Sequence, residues 1–189
     1  ESRELPSLGI DRLIEGREVA FGTLVHRALE LQISGSSPFE AEGIEGVSPA
    51  ETEKLKHAAA ELAHAFWESP SRRSLIPDGI KPVSEAPFTL ALESGDGRRL
   101  VDGAIDLYAD LGERLVCLDF KTNRRLRPGA YATQMWLYRR ALQELTGKPV
   151  DSYLIYLREP KPHKEEREFS PDELKLLLRR GELEIPAGE

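Results

Sequence analysis

Three carboxylates and one amine stand at spacings that could hold a metal ion. In "LDFKTN" (118–123), Asp119 and Lys121 lie two positions apart in a run that is otherwise apolar, with Leu115, Val116, Cys117, Leu118 and Phe120 around them. A strand alternates its side chains, so positions two apart share one face, about 7 Å apart at ~3.3 Å of rise per residue. Charged groups enter an apolar interior only when they are paired or bind a metal.

Turn signals place this strand in a meander. Strand-like runs cover about 82–92, 99–109 and 114–121, joined by "SGDG" (94–97) and "DLGE" (110–113), both hairpin signals. With Leu111-Gly112 as one tip, Asp106 faces Cys117 and sits diagonal to Asp119. With Gly95-Asp96 as the other, Glu85 faces Asp106. This register aligns Ala86, Ile105 and Leu118, then Phe88, Gly103 and Phe120, on a core face flanked by Leu107 and Val116. The other face gathers Glu85, Asp106, Asp119 and Lys121. Opposed like charges destabilise a sheet, and one lysine offsets only part of the repulsion. A divalent cation resolves it, because hard cations draw several oxygen ligands to one point. An exposed sheet face with scattered ion pairs fits the same spacing, and spacing alone leaves both readings open.

The elements that must position these groups read in the order α-α-β-β-β-α-β-α. Residues 17–33 carry helical apolar spacing. "SGSSPFEAEG" (34–43) reads as a loop. "SPAE" (48–51) is a capping box that opens a helix to about Trp67. Helix returns from about Gly129 to Thr146, with Tyr131, Gln134 and Tyr138 on one face. A strand follows at 150–157, and "SPDE" (170–173) starts a last helix that ends before Gly181. No linker rich in Gly, Ser or Pro divides the chain.

With 189 residues, 40% of them hydrophobic, the chain can bury the core of one domain. No apolar run approaches the roughly 18 residues a membrane span needs, and no signal peptide is visible, so a cytoplasmic, membrane-free protein is expected. A single cysteine, Cys117, excludes a disulfide framework and a four-cysteine zinc or iron–sulfur site. The net charge of −7 argues against non-specific nucleic-acid binding if charge were spread evenly. It is not: no acid falls between Phe120 and Gln143, whereas Lys121, Arg124, Arg125, Arg127, Arg139 and Arg140 do. Such a patch can bind polyanions, and it also fits a solvated charged face. The first residue is Glu1, and an excised domain and a free-standing protein both stay open.

Five blocks occur together in order: "GTLVHRALE" (22–30), "SEAPF" (84–88), "VDGAIDLYAD" (101–110), "LDFKTN" (118–123) and "YATQMWLYRRAL" (131–142). In this the chain resembles the PD-(D/E)xK nuclease superfamily, specifically the RecB/AddA-type nuclease domain of bacterial helicase-nucleases that process double-strand breaks. The resemblance implies a restriction-endonuclease-like α/β fold: a central mixed sheet with an antiparallel three-strand meander, flanked by helices, as one domain over 1–189 with its motif core at about 22–157. It implies metal binding by His26, Asp106, Asp119 and the Phe120 carbonyl, with Lys121 as the active-site lysine. It also implies an acidic strand position at Glu85 and the Q-x-x-x-Y helix motif at Gln134 and Tyr138. Arg124, Arg125 and Arg127, directly after the catalytic strand, are placed to grip phosphates. The cysteines of iron–sulfur relatives are missing, as is the G-x-x-x-x-G-K-[ST] of a P-loop, so no iron–sulfur cluster and no ATP site are expected.

The activity implied is hydrolysis of DNA phosphodiesters with Mg²⁺ or Mn²⁺, cutting single strands near ends and leaving 5′-phosphates, in break repair and recombination. The partners implied are a helicase domain or subunit and DNA. The rival reading is a catalytically silent nuclease-like module, kept for DNA binding or for assembling a larger complex. It needs the basic patch but not the acids.

Overall fold

The computed structural model describes residues 2–35, 44, 46–94, 97–127 and 129–180. Helix ends follow local signals. In α3 (Pro49–Trp67) the Ser48 side chain accepts from the Glu51 amide while the Glu51 carboxylate accepts from the Ser48 amide, and Pro49 holds the first helical position. Helix α2 (Glu18–Ser34) stops at Gly35, whose φ of 65° suits a residue with no Cβ. Most of the loop expected at 34–43 lies outside the described residues, as does the Gly95-Asp96 tip.

The chain runs β1 (Arg3–Glu4), α1 (Asp11–Ile14), α2, α3, α4 (Pro70–Leu75), β2 (Val83–Ser94), β3 (Gly97–Asp110), β4 (Leu115–Lys121), β5 (Arg125–Leu126), α5 (Ala132–Thr146), β6 (Val150–Tyr156), β7 (Pro162–Lys164) and α6 (Pro171–Arg180). The main sheet has the order β2-β3-β4-β6-β7, and β1 pairs with β5 in a separate ribbon. Strands β2, β3 and β4 form the antiparallel meander, and α5 carries the chain across so that β6 runs parallel to β4. Among the described residues, no helix is long and apolar enough to cross a membrane.

All seven residues of β4 are buried, because helices cover the sheet on both sides. Val116, Leu118 and Phe120 pack with residues of α2 and α3, including Phe21, Val25, Leu55 and Phe66. Leu115 and Cys117 pack with Tyr131, Met135 and Tyr138 at α5. The exposed sheet face that spacing alone left open is therefore excluded for β4. Asp119 and Lys121 point into the α5 layer, away from solvent.

Two further corrections concern register. Strand β3 pairs with β4 as Leu107↔Leu118 and Tyr108↔Cys117, two residues from the expected Asp106–Cys117 pairing. The tip is Gly112-Glu113: the Leu111 amide bonds the Arg114 carbonyl at 2.9 Å, and Gly112 takes a φ of 93° that only glycine adopts freely. Second, Ile105, Ala86 and Phe88 pack in the α5 cluster while Leu107 packs in the α2–α3 cluster. Strict alternation would put Ile105 and Leu107 on one face. The β2–β3 ribbon changes faces between them, at Asp106 and Glu85.

Arg139 also departs from its expected place in a basic surface patch. It is 4% exposed, and its guanidinium donates to Ser152 Oγ and to the carbonyls of Glu165 and Arg167, besides pairing with Glu168. It clamps α5 to β6 and to the chain beyond β7. Arg139→Ala is expected to destabilise the fold by about 2–3 kcal/mol, because it strips several acceptors at once. Arg139→Lys should recover only part, lacking the planar fork. Urea unfolding of the three proteins checks both.

Candidate active site

The site forms where the β-ladder breaks. Strand pairs bracket Glu85 and Asp106 as Ser84↔Leu107 and Ala86↔Ile105. Glu85 has a φ of 47°, the one positive φ outside glycine among the described residues, a conformation that costs a non-glycine residue on the order of 1 kcal/mol. Asp106 replaces the missing ladder bond with its side chain: the Phe120 amide donates to Asp106 Oδ2 at 2.8 Å. That contact brings the Asp106 carboxylate to the level of Asp119.

Helix α2 supplies an imidazole to the same place. His26 Nδ1 lies 3.4 Å from Glu85 Oε1, and Nε2 lies 3.7 Å from Asp106 Oδ2. The ring stands edge-on to Phe120, which in turn packs against Phe66, so the core sets its angle. Burial opposes charging the imidazole. The hydrogen bond to Glu85 and the charges of Asp106, Glu85 and Asp119 outweigh it and raise His26 to about 9. Burial and the neighbouring Asp119 charge raise Asp106 to about 7, against the pull of His26, the Phe120 amide and Lys121. Burial also raises Asp119, with Lys121 and His26 opposing it.

Lys121 is held from three sides. Its Nζ donates to Gln134 Oε1 at 3.1 Å, sits 3.1 Å from Asp119 Oδ2, and lies 4.1 Å from the centre of the Tyr131 ring. Gln134 Nε2 donates to the Tyr138 hydroxyl at 2.9 Å, and Asn123 Nδ2 donates to the Tyr131 hydroxyl at 3.2 Å. Burial works against the ammonium, but the Asp119 charge prevails and its pKa rises. Lys121 is a fixed cation. Tyr131, recognisable from sequence only as a face-mate of Gln134 and Tyr138, is the N-cap residue of α5, and its ring forms one wall of the lysine's cage.

The residues present fit a divalent cation. His26, Glu85 and Asp106 each offer a ligand atom within 4.8 Å of the others. Asp119 is 0% exposed, and neither of its oxygens accepts a well-angled hydrogen bond among the described residues. Oδ2 faces the Lys121 ammonium at 3.1 Å and Oδ1 has no partner among them, and imidazole with carboxylate oxygens is a donor set for Mn²⁺ or Mg²⁺. Side-chain exposure falls from 38% at Glu85 through 19% at His26 and 10% at Asp106 to 0% at Asp119. An open cavity of about 310 Å³, lined by Gly22, Thr23, His26, Arg27, Glu30 and Glu85, gives access from the α2 side. The structure thus brings His26, Glu85, Asp106, Asp119, Lys121, Gln134 and Tyr138 together, with the backbone of Phe120 between the two aspartates. Arg124, Arg125 and Arg127 lie apart, exposed on the turn beyond β4, with Arg124 3.4 Å from Glu4.

A mixed sheet of this order, with acids and a lysine converging at the end of its meander, is a restriction-endonuclease-like fold. The chain belongs to the PD-(D/E)XK nuclease superfamily, whose family profile matches residues 7–182. It is 32% identical over 124 residues to one subunit of the ATP-dependent helicase/nuclease of Pelotomaculum thermopropionicum, covering 57% of this chain and 10% of that protein. The Streptococcus thermophilus protein of the same name is 29% identical over 164 residues, covering 82% of this chain and 13% of its own length. The chain therefore spans about a tenth of the curated relatives it matches. Among solved structures, a candidate exonuclease from Eubacterium rectale overlays with a TM-score of 0.45 at 14% identity, covering 86% of this chain and 64% of that one.

A proton and a cation bound at this site would compete for His26 and Asp106. Both groups have folded-state pKa values above their ordinary ones, so they hold protons that a bound cation must displace. Mg²⁺ affinity is expected to rise with pH as Asp106 and then His26 give up their protons, and to level off above about 9. Calorimetry at pH 8 in buffers of different ionisation enthalpy should register proton release on binding. A pH-independent affinity would remove His26 from the ligand set.

Proposed function

We propose that this chain is a divalent-metal-dependent deoxyribonuclease that hydrolyses phosphodiester bonds in single-stranded DNA near ends, leaving 5′-phosphates. In this reading it serves within or alongside an ATP-dependent helicase-nuclease in double-strand break repair. The observation that carries the proposal is Asp119: a fully buried carboxylate whose one neighbouring cation among the described residues is the caged Lys121, behind the His26–Glu85–Asp106 cluster. A binding or assembly module has no use for that arrangement, which holds like charges together at a cost to stability. The helicase association rests on the relatives' names, and the choice of DNA and of single strands rests on the resemblance to the RecB/AddA type.

His26, Asp106 and Asp119, with the Phe120 carbonyl, would hold one or two Mg²⁺ or Mn²⁺ ions, and Glu85 would either join them or steady His26. Such an ion supplies Lewis acidity toward the phosphate and lowers the pKa of a bound water. Lys121 places its ammonium where negative charge builds as the phosphorus becomes five-coordinate, and a donor fixed in advance needs no reorganisation during the step. Gln134 and Tyr138 keep that ammonium aimed. Arg124, Arg125 and Arg127 take neighbouring phosphates, which sets register without reading bases.

A 5′-labelled single-stranded oligonucleotide incubated with Mn²⁺ tests the proposal. Wild-type protein should shorten it, and Asp119→Asn should leave it intact while keeping its circular dichroism. Equal cleavage by both would overturn the site assignment, and no cleavage by wild type with an intact metal site would favour the silent module. Lys121→Ala is expected to lose roughly 10²–10³ in rate, the usual contribution of one preorganised donor to a developing negative charge. Because an imidazole ligand favours Mn²⁺ over Mg²⁺, wild type should need less Mn²⁺ than Mg²⁺ for half-maximal rate. His26→Ala should narrow that gap.

A further inference from the structure

A second cavity, of about 600 Å³, opens beside the active site between the α1–α2 corner and the turn that follows β4. Its walls include Ile14 and Val19 on one side and Thr122, Asn123 and Arg124 on the other. Both cavities are lined in part by α2. Helix α2 turns Glu18 and Val19 toward this one, and Gly22, Thr23, His26, Arg27 and Glu30 toward the cavity at the acidic cluster. Those positions recur every three to four residues, which is one face of a helix. From Val19 to Glu30 that face runs about 17 Å at ~1.5 Å per residue, the length of about five stacked nucleotides at ~3.4 Å each. Gly22 stands between the two cavities on this face.

The opposite wall is tied to the reacting groups, because Thr122 and Asn123 follow Lys121 directly and Asn123 holds the Tyr131 hydroxyl against the lysine cage. The lining does not select a polyanion by charge. Arg12, Arg124 and Arg158 are balanced by Asp11, Glu15 and Glu18, with Arg158 and Asp11 paired at 2.7 Å. It offers apolar contact instead: Val19 is 56% exposed on the wall of a cavity whose volume is in the usual range for small-molecule sites. An uncharged, flat, partly apolar group suits such a lining, with a phosphate left at the rim near Arg124.

We propose that this cavity is a base-binding subsite: a single strand lies along the α2 face, and the nucleobase next to the phosphate being cut seats between Val19 and the Thr122–Arg124 turn. The proposal deepens the nuclease reading and rests on it for the identity of the strand.

The test walks one abasic residue through a single-stranded oligonucleotide and measures Mn²⁺-dependent cleavage at each position. In wild type, an abasic residue at one position flanking the cut should raise KM about tenfold, the scale of losing one base contact, with less than twofold effects elsewhere. Val19→Asn, at an exposed position outside the core, should raise KM a few-fold on intact strands, leave kcat unchanged and flatten the abasic profile. A flat profile in wild type, or an unchanged profile in Val19→Asn, overturns the subsite while the nuclease assignment stands. If wild type does not cleave at all, the same oligonucleotides are compared for binding to metal-free protein by fluorescence anisotropy. A position-dependent loss abolished by Val19→Asn then keeps the subsite and retires the nuclease reading, whereas uniform binding ends both.

Discussion

The structure turns on an excess of negative charge at a break in a β-ladder. Asp106 and Asp119 meet there, with Glu85 behind His26, and among the described residues the only permanent cation within the cluster is Lys121. Two carboxyl groups with raised pKa values and an imidazole driven toward its charged form are symptoms of one imbalance. The site recruits protons because it lacks positive charge. Every neighbouring element is arranged to hold that unfavourable cluster in place: β3 gives up a backbone bond to Asp106, β2 accepts a left-handed residue at Glu85, and α2 is packed through Phe120 so that His26 faces both.

Holding Lys121 is the task of α5, and α5 is itself well anchored. Gln134, Tyr138 and Tyr131 sit on the helix face against β4, while Arg139, one residue beyond Tyr138, clamps the helix to β6 and to the segment at 165–168. A side chain with four rotatable carbons is imprecise on its own. Carboxylate, amide and aromatic ring together leave it one position, and the hydrophobic cluster of Met135, Leu142 and Leu154 keeps those three groups from shifting.

Much of this could be read before any coordinates. The convergence of Asp106, Asp119 and Lys121 followed from alternation together with the two hairpin tips, and it survived the β3–β4 register error because a two-residue shift keeps each side chain on its face. The change of faces at Asp106 could not be read, since nothing in the residue type of Glu85 announces a positive φ. Tertiary packing imposes it. Arg139 was misplaced because a count of charges says nothing of burial. Strands β1, β5 and β7 and helices α1 and α4 are too short to carry a hydrophobic period. Spacing alone could not decide between a buried and an exposed face for Asp119 and Lys121, because alternation gives the side of the sheet and not what covers it; the α5 layer makes both as buried as their apolar neighbours.

The graded burial of Glu85, His26, Asp106 and Asp119 has a consequence for how quickly the site fills and empties. Small divalent ions release their hydration shell reluctantly, and a uniformly buried cage would demand that release in one large step. Here the groups form a staircase from the α2 cavity inward. An ion entering there would trade water for protein atoms one rung at a time, and would leave by the same small steps.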